Sequence, residues 1–288
     1  MKQVSKSAEP ANLTAFRAAQ PDATWEALRS DPLHGGQQAY LDIKRTVVRD
    51  QRGLCAYCEC RIARGLSVAD LDADRTRQVV EHFHPKSDQA GPVNWALQWT
   101  NLWGVCDGGS QVPPAGEPID PDRYLPPLPE NLSCDQFKDR QIALGELDAS
   151  PEGWLLSPAD PPSAPNLFRY DLNGDIRANE AACGQWQATL NRHPHTQELV
   201  ETTIRHLNLG CVRLKRRRAI VANQLEKQIR SLRDRLPGEH PRQILRRLAR
   251  RLFPREDGET GWPEYFSLVR ERLGEAAEEQ LRQIAFRD

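Results

Sequence analysis

The chain has 288 residues, 39% of them hydrophobic and 27% charged, with a formal net charge of -1. That length holds one large domain or two modest ones, and the mixture is that of a soluble globular protein. The apolar runs are too short to span a membrane and residues 1–6 have no apolar core, so no secretory signal is expected and the cytoplasm is the expected compartment.

Seven cysteines is an odd number, and Cys55 and Cys58 form a C-x-x-C pair. In a reducing compartment that spacing suggests metal rather than a disulfide. Charge is spread unevenly. Residues 211–255 hold fifteen Lys/Arg against three acids, a net +12 that leaves -13 for the remainder. Such a segment suits a phosphate or acidic-partner surface, and equally suits a solvated helical face.

In chain order, residues 1–13 are polar and read as loose. Gln37 to Arg52 reads as a helix, because Tyr40, Leu41, Ile43, Val47 and Val48 recur at helical spacing, and Gly53 ends it. Cys55–Cys60 reads as a knuckle-like turn. A short two-stranded element follows, with Arg61-Ile62 as one arm and Gln78-Val79-Val80 as the other, and Ser67–Arg77 as an insertion between them. The prolines between 111 and 130 predict a long irregular loop, of a kind usually tied to function. A helix begins near Cys134. Phe168–Arg177 reads as a hairpin about Asn173-Gly174. Asp171, Asn173 and Asp175 do not make a calcium loop: the glycine is misplaced, and Ala182 stands where the bidentate Glu belongs. From Thr196 onward, apolar stripes such as Leu199, Val200, Thr203, Ile204 and Leu207 predict helices.

Four thiolates in two pairs can close a tetrahedral zinc site that is structural because no position stays open. Cys55 and Cys58 have the knuckle spacing, and Cys106 and Cys134 are the second pair. The alternatives are a redox C-x-x-C, which lacks its βαβ surroundings here, and Cys106 and Cys134 as small buried hydrophobes. The reactive stretch is Glu81-His82-Phe83-His84-Pro85-Lys86. Hydrolysis of a phosphodiester needs an activated water, neutralised phosphate charge and help for the leaving oxygen. A neutral histidine suits the first task and a divalent metal the others. Magnesium takes one or two carboxylates plus water and phosphate. Glu81 supplies one carboxylate, and Asp135, directly after Cys134, supplies the second if the cysteines share one ion. Lys86 and Lys138 are candidates for phosphate contact. His84 would share a face with His82 under strand-like alternation, and either touches phosphate or metal or simply packs. Trp95, Trp99 and Trp103 can stack bases or fill the core.

These motifs resemble the HNH endonucleases of the His-Me (ββα-metal) group: C-x-x-C, then Glu-His-x-x-Pro-Lys, then Asn101-Leu102 and a cysteine, then Cys134-Asp135-x-x-Lys138. The fuller pattern looks like the HNH subunit of retron-associated and Septu-type antiphage systems, most densely over residues 40–140. The resemblance implies His82 as general base, Glu81 and Asp135 as ligands of a catalytic Mg²⁺ or Mn²⁺, Asn101 as brace of the loop that positions the base, and Cys55, Cys58, Cys106 and Cys134 as zinc ligands. It also implies an ABC/SMC-like ATPase partner and, in some members, a retron reverse transcriptase with its DNA. Many such enzymes carry Asp before the histidine and His or Asn at the last position, where this chain has Glu81 and Asp135.

The expected architecture is α+β: a zinc-stapled ββα-metal core with an N-terminal helix and a mostly helical C-terminal region. The expected divisions are a polar and helical extension over 1–36, the nuclease domain over 37–150, and the hairpin with its helices over 151–288. The leading function is metal-dependent hydrolysis of DNA as the effector of a defence complex. A non-catalytic zinc adaptor and an RNA-cleaving (tRNA) nuclease are the alternatives.

Overall fold

The computed structural model describes residues 1–63, 65–73, 79–88, 91–110, 129–254, 261–284 and 286. The proline-rich stretch over 111–128 and the segment 74–78 therefore lie outside the described residues. The helix Gly36–Asp50 is the spine of the N-terminal half, and Ala39, Ile43, Val47 and Val48 give it one continuous buried stripe. Helices α1 (Ala11–Ala19), α2 (Trp25–Ser30) and α3 (Gly36–Asp50) follow one another, and the first two pack on the third. Thr24 starts α2 by accepting the amide of Ala27 at 3.1 Å, which satisfies one of the free donors at a helix N-terminus.

The N-terminal segment is not loose. Met1, Val4, Leu13 and Phe16 are buried in the same cluster as α3. Lys6 lays its ammonium over the rings of Trp99 and Trp103 and donates to the carbonyls of Trp99 and Leu102. A polar sequence thus covers an aromatic surface with its lysine stem.

After the cysteine knuckle and helix α4 (Val68–Ala73), strand β1 (Val79–His82) pairs antiparallel with β2 (Leu102–Val105), setting Glu81 opposite Trp103 and His82 opposite Leu102. The expected partnership with Arg61-Ile62 is not made. Arg61 instead closes the knuckle on itself through a single bridge to Leu54. The far side of β2 is capped by the buried Gln51 amide, which accepts from Gly104 N at 2.7 Å and donates to Gly104 O and Leu54 O. A Cβ on Gly104 would stand 3.2 Å from Gln51 Nε2, so the missing side chain admits this cap.

Helix α5 (Cys134–Ala143) begins at the fourth cysteine, as expected. Strands β3 (Phe168–Tyr170) and β4 (Ile176–Ala178) form the expected hairpin, with Gly174 at positive φ and Asp171 accepting the amides of Asn173 and Asp175. The turn runs from Asp171 to Asp175, longer than a two-residue Asn-Gly loop. Helices α6 (Glu180–Cys183), α7 (Thr196–His206), α8 (Val212–Arg235), α9 (Pro241–Leu252), α10 (Phe266–Leu273) and α11 (Glu275–Gln283) complete the chain. Among the described residues the arrangement is helix-rich α+β with two small sheets.

Two apolar clusters hold it. One runs from the N-terminal helices through the knuckle to α7 and reaches Leu214; the other joins α8 to α11. Cys60 and Tyr170 pack against both. Full burial of each Leu, Ile or Phe contributes about 1.5–3 kcal/mol before entropy is charged. Much of the basic charge of the last helices is answered within the chain, by the pairs Arg246–Glu279, Arg242–Glu275, Arg247–Glu239 and Arg272–Glu226. Among the described residues no helix is long and apolar enough to cross a membrane.

Candidate active site

The cysteines come from three places in the chain. Cys55 and Cys58 lie in the knuckle, closed by the Cys55 amide on the Cys60 carbonyl at 2.8 Å and tied to β2 by Ala56 N on Gly104 O at 3.0 Å. Cys106 follows β2 directly, and Cys134 opens α5 with its backbone at φ 58 and its amide on the Leu207 carbonyl. That left-handed backbone is strained for a residue with a Cβ, so the surroundings over-determine it. The sulfurs stand 3.9 Å (Cys55–Cys134), 3.8 Å (Cys58–Cys106) and 3.8 Å (Cys106–Cys134) apart, and all four lie within 4.8 Å of one another. A disulfide would need about 2.05 Å, whereas a tetrahedron with metal–sulfur bonds of about 2.3 Å has edges of about 3.8 Å. The donor set therefore fits a closed tetrathiolate ion. Buried Arg213 sits beside it, donating to Ser133 Oγ at 2.6 Å; burial opposes its charge, but Cys106 and the neighbouring thiols outweigh burial and raise its pKa.

Strand β1 delivers Glu81 and His82 to one end of this cluster. Tyr57, from the knuckle, reaches Glu81 Oε1 at 3.4 Å. Helix α5 brings Asp135 and, one turn later, Asp139. The oxygens of Glu81, Asp135 and Asp139 lie within 4.8 Å of one another. Among the described residues Asp135 Oδ1 is buried without a hydrogen-bond partner, which is what a carboxylate prepared for a cation looks like and what a purely structural aspartate rarely tolerates. Glu81 and Asp135 thus fit a divalent cation. Burial, reinforced by Asp135 and opposed by Lys138, pushes the Glu81 carboxyl well above its ordinary range.

His82 is buried, its ring edge-on to Trp25 at 4.6 Å. Its Nε2 stands 3.1 Å from the Ala96 carbonyl. A carbonyl only accepts, so Nε2 carries the proton and Nδ1 keeps its lone pair. Burial lowers the pKa to about 4, with Lys86 and Lys138 adding to the effect and the Ala96 bond opposing it. The imidazole is neutral at physiological pH, as a base must be.

Asn101 is buried and bonds three backbone groups: it accepts from His84 N at 2.7 Å and donates to His84 O and Trp95 O, both at 2.9 Å. His84 does not join the Glu81 cluster. Its Nδ1 meets Glu152 and its Nε2 meets Asp88, each at 2.8 Å, and its ring stacks on Trp95 at 4.0 Å. Trp99 and Trp103 are buried core residues. Lys86 lies at the surface in an ion pair with Glu26. Lys138, expected against a phosphate, is buried with its ammonium on Glu81 and the His82 and Phe83 carbonyls. Trp25, Ala96 and Asp139 escaped the sequence reading. Asp139 had a signal, since it stands four residues after Asp135 on an expected helix and so shares its face.

No family model matches the chain. It is 34% identical over 222 residues to an Escherichia coli protein described as a candidate HNH endonuclease of retron Ec83, an alignment covering 76% of this chain and 78% of that protein. At that identity and coverage, the chain belongs to the HNH endonuclease family.

Proposed function

We propose that the chain is a metal-dependent DNA endonuclease, with His82 as general base, Glu81 and Asp135 as ligands of a catalytic Mg²⁺ or Mn²⁺, and Cys55, Cys58, Cys106 and Cys134 around a structural Zn²⁺. The observation that carries this reading is the pairing of a committed Nε2 on His82 with an unpartnered buried oxygen on Asp135 beside Glu81. Held by Glu81 and Asp135, a divalent cation would supply Lewis-acid polarisation of the phosphate and stabilisation of the departing oxygen. His82 Nδ1 takes a proton from water as that water's oxygen bonds to phosphorus, and the P–O3′ bond breaks, leaving a 5′-phosphate. The Ala96 carbonyl holds the ring and stabilises the imidazolium through the Nε2 proton. Asn101 fixes the backbone on both sides of the loop between His84 and Ala96. Lys86, exposed and paired with an exposed glutamate, can exchange that partner for a phosphate.

The relative's name places it in a retron system. Carried to this chain, that context supports work beside a reverse transcriptase and its DNA, and the motif pattern adds an ABC/SMC-like ATPase. The intramolecular pairing of so many arginines in α9 argues for a partner that presents the nucleic acid, because the lone chain offers less free positive charge than its sequence suggests.

The test is cleavage of plasmid DNA, and of tRNA in parallel, by the zinc-loaded chain with and without candidate partners, in Mg²⁺, Mn²⁺ or EDTA. The proposal expects metal-dependent DNA nicking. Cleavage of tRNA with intact plasmid would reassign the substrate, and no cleavage in any complex would leave an adaptor.

A further inference from the structure

The carboxylate cluster already holds a cation, and it is the protein's own. Lys138 Nζ donates to Glu81 Oε1, to the His82 carbonyl at 2.8 Å and to the Phe83 carbonyl at 3.2 Å, and lies 3.7 Å from Asp139 Oδ1. Its side chain is 1% exposed. One lysine nitrogen faces a cluster of three carboxyl groups. Asp135 Oδ1 remains buried without a partner. Yet a divalent cation cannot share the Glu81 oxygen with an ammonium already seated on it, because two cations in a buried site repel strongly.

We infer that Lys138 is an internal stand-in for the divalent cation: its ammonium holds Glu81 in the metal-free protein and is displaced from Glu81 when the cation binds among Glu81, Asp135 and Asp139. The inference rests on the proposed reading of Glu81 and Asp135 as ligands, and adds Asp139 as a third carboxylate. Asp139 is the solvent-facing member of the set, its side chain 65% exposed against 5% for Glu81. A cation arriving from water meets it first. The His82 and Phe83 carbonyls are acceptors that the displaced ammonium can keep, so Lys138 stays at hand and returns when the cation leaves. The exchange has two effects. It prevents three carboxylates from repelling one another in the empty site, and it weakens metal binding below what those carboxylates alone would give.

Binding of Mn²⁺ to the zinc-loaded full chain, followed by the EPR signal of the free ion, tests this in wild type, Lys138→Met and Asp139→Asn. Removing the competing ammonium should tighten Mn²⁺ binding by about tenfold or more, and removing the third carboxylate should weaken it by about tenfold. Equal or weaker binding by Lys138→Met overturns the exchange. Because that variant also loses a brace of Glu81, the wild type carries a second measurement, ¹⁵N-lysine spectra. The Lys138 signal, identified by its absence from the Lys138→Met spectrum, should be present without Mg²⁺ and should shift or vanish at saturating Mg²⁺; a signal unchanged at saturation overturns the inference. Failure of all three proteins to bind Mn²⁺ would instead remove the ligand assignment itself, and the exchange with it.

Discussion

Asn101 and His84 are joined by a reciprocal pair of hydrogen bonds, His84 N to Asn101 Oδ1 at 2.7 Å and Asn101 Nδ2 to His84 O at 2.9 Å. A third bond, to Trp95 O at 2.9 Å, pins the far end of the loop that offers Ala96 to His82. Asn101→Ala should therefore lower stability by about 2–4 kcal/mol, the net value of three buried bonds and their orphaned partners. Asn101→Asp keeps the acceptor for His84 N but turns oxygen toward two carbonyls, so it should be at least as damaging. Urea unfolding of the three proteins checks this, and an Asp variant as stable as wild type would contradict it.

The cysteine cluster predicts one tightly held zinc per chain. Metal analysis should find it, and Cys58→Ser or Cys134→Ser should release it together with a cooperative loss of structure, because a structural ion's binding energy is largely folding energy. A zinc-free protein that melts like the loaded one would contradict the assignment.

Lys6 makes stability depend on pH. Burial lowers its pKa to about 7, with Asp50 and Glu9 opposing, whereas an unfolded lysine titrates near about 10.4. Between those values the unfolded chain holds a proton that the folded chain lacks, so this contribution grows as pH rises and is lost as pH falls through about 7. Lys2, lowered to about 8 mainly by burial, acts in the same sense but is retained in Lys6→Met. The melting temperature of wild type relative to Lys6→Met should therefore rise between about pH 6 and about pH 9. Parallel curves would contradict it.

Glu59 ties the knuckle to the C-terminal helices. Its carboxylate accepts the Ser267 amide at 2.8 Å and hydroxyl at 2.6 Å, from a backbone at φ 63. Glu59→Ala should cost about 3 kcal/mol, because buried donors lose a charged acceptor, while Ser267→Ala removes one bond and should cost about 1 kcal/mol. Chemical denaturation separates the two, and equal costs would contradict this account.

What could be read in the sequence was local. The stripe of Ile43, Val47 and Val48, the hairpin around Gly174 and the helices after Thr196 follow from spacing and turn chemistry, which neighbouring residues settle among themselves. The C-x-x-C pair was legible for the same reason. Strand pairing was not: β1 lies beside Leu102–Val105 across the chain, and the four residues Leu-Trp-Gly-Val show no alternation by which to choose them over Arg61-Ile62. The polar N-terminal segment concealed buried Met1 and Val4, because lysine stems can cover apolar surface while the charge finds carbonyls. Residue type marked Lys138 as important, but its direction depends on where α5 meets β1, a tertiary fact.

The proposed role of His82 is to take, while neutral, the proton of the attacking water. Single-turnover DNA cleavage by His82→Ala, in the partner complex that activates wild type and with zinc content and Mn²⁺ affinity shown to match wild type, tests it directly. The rate should be lower by about 10²–10⁴-fold, and a rate equal to that of wild type would contradict the role of His82 as base.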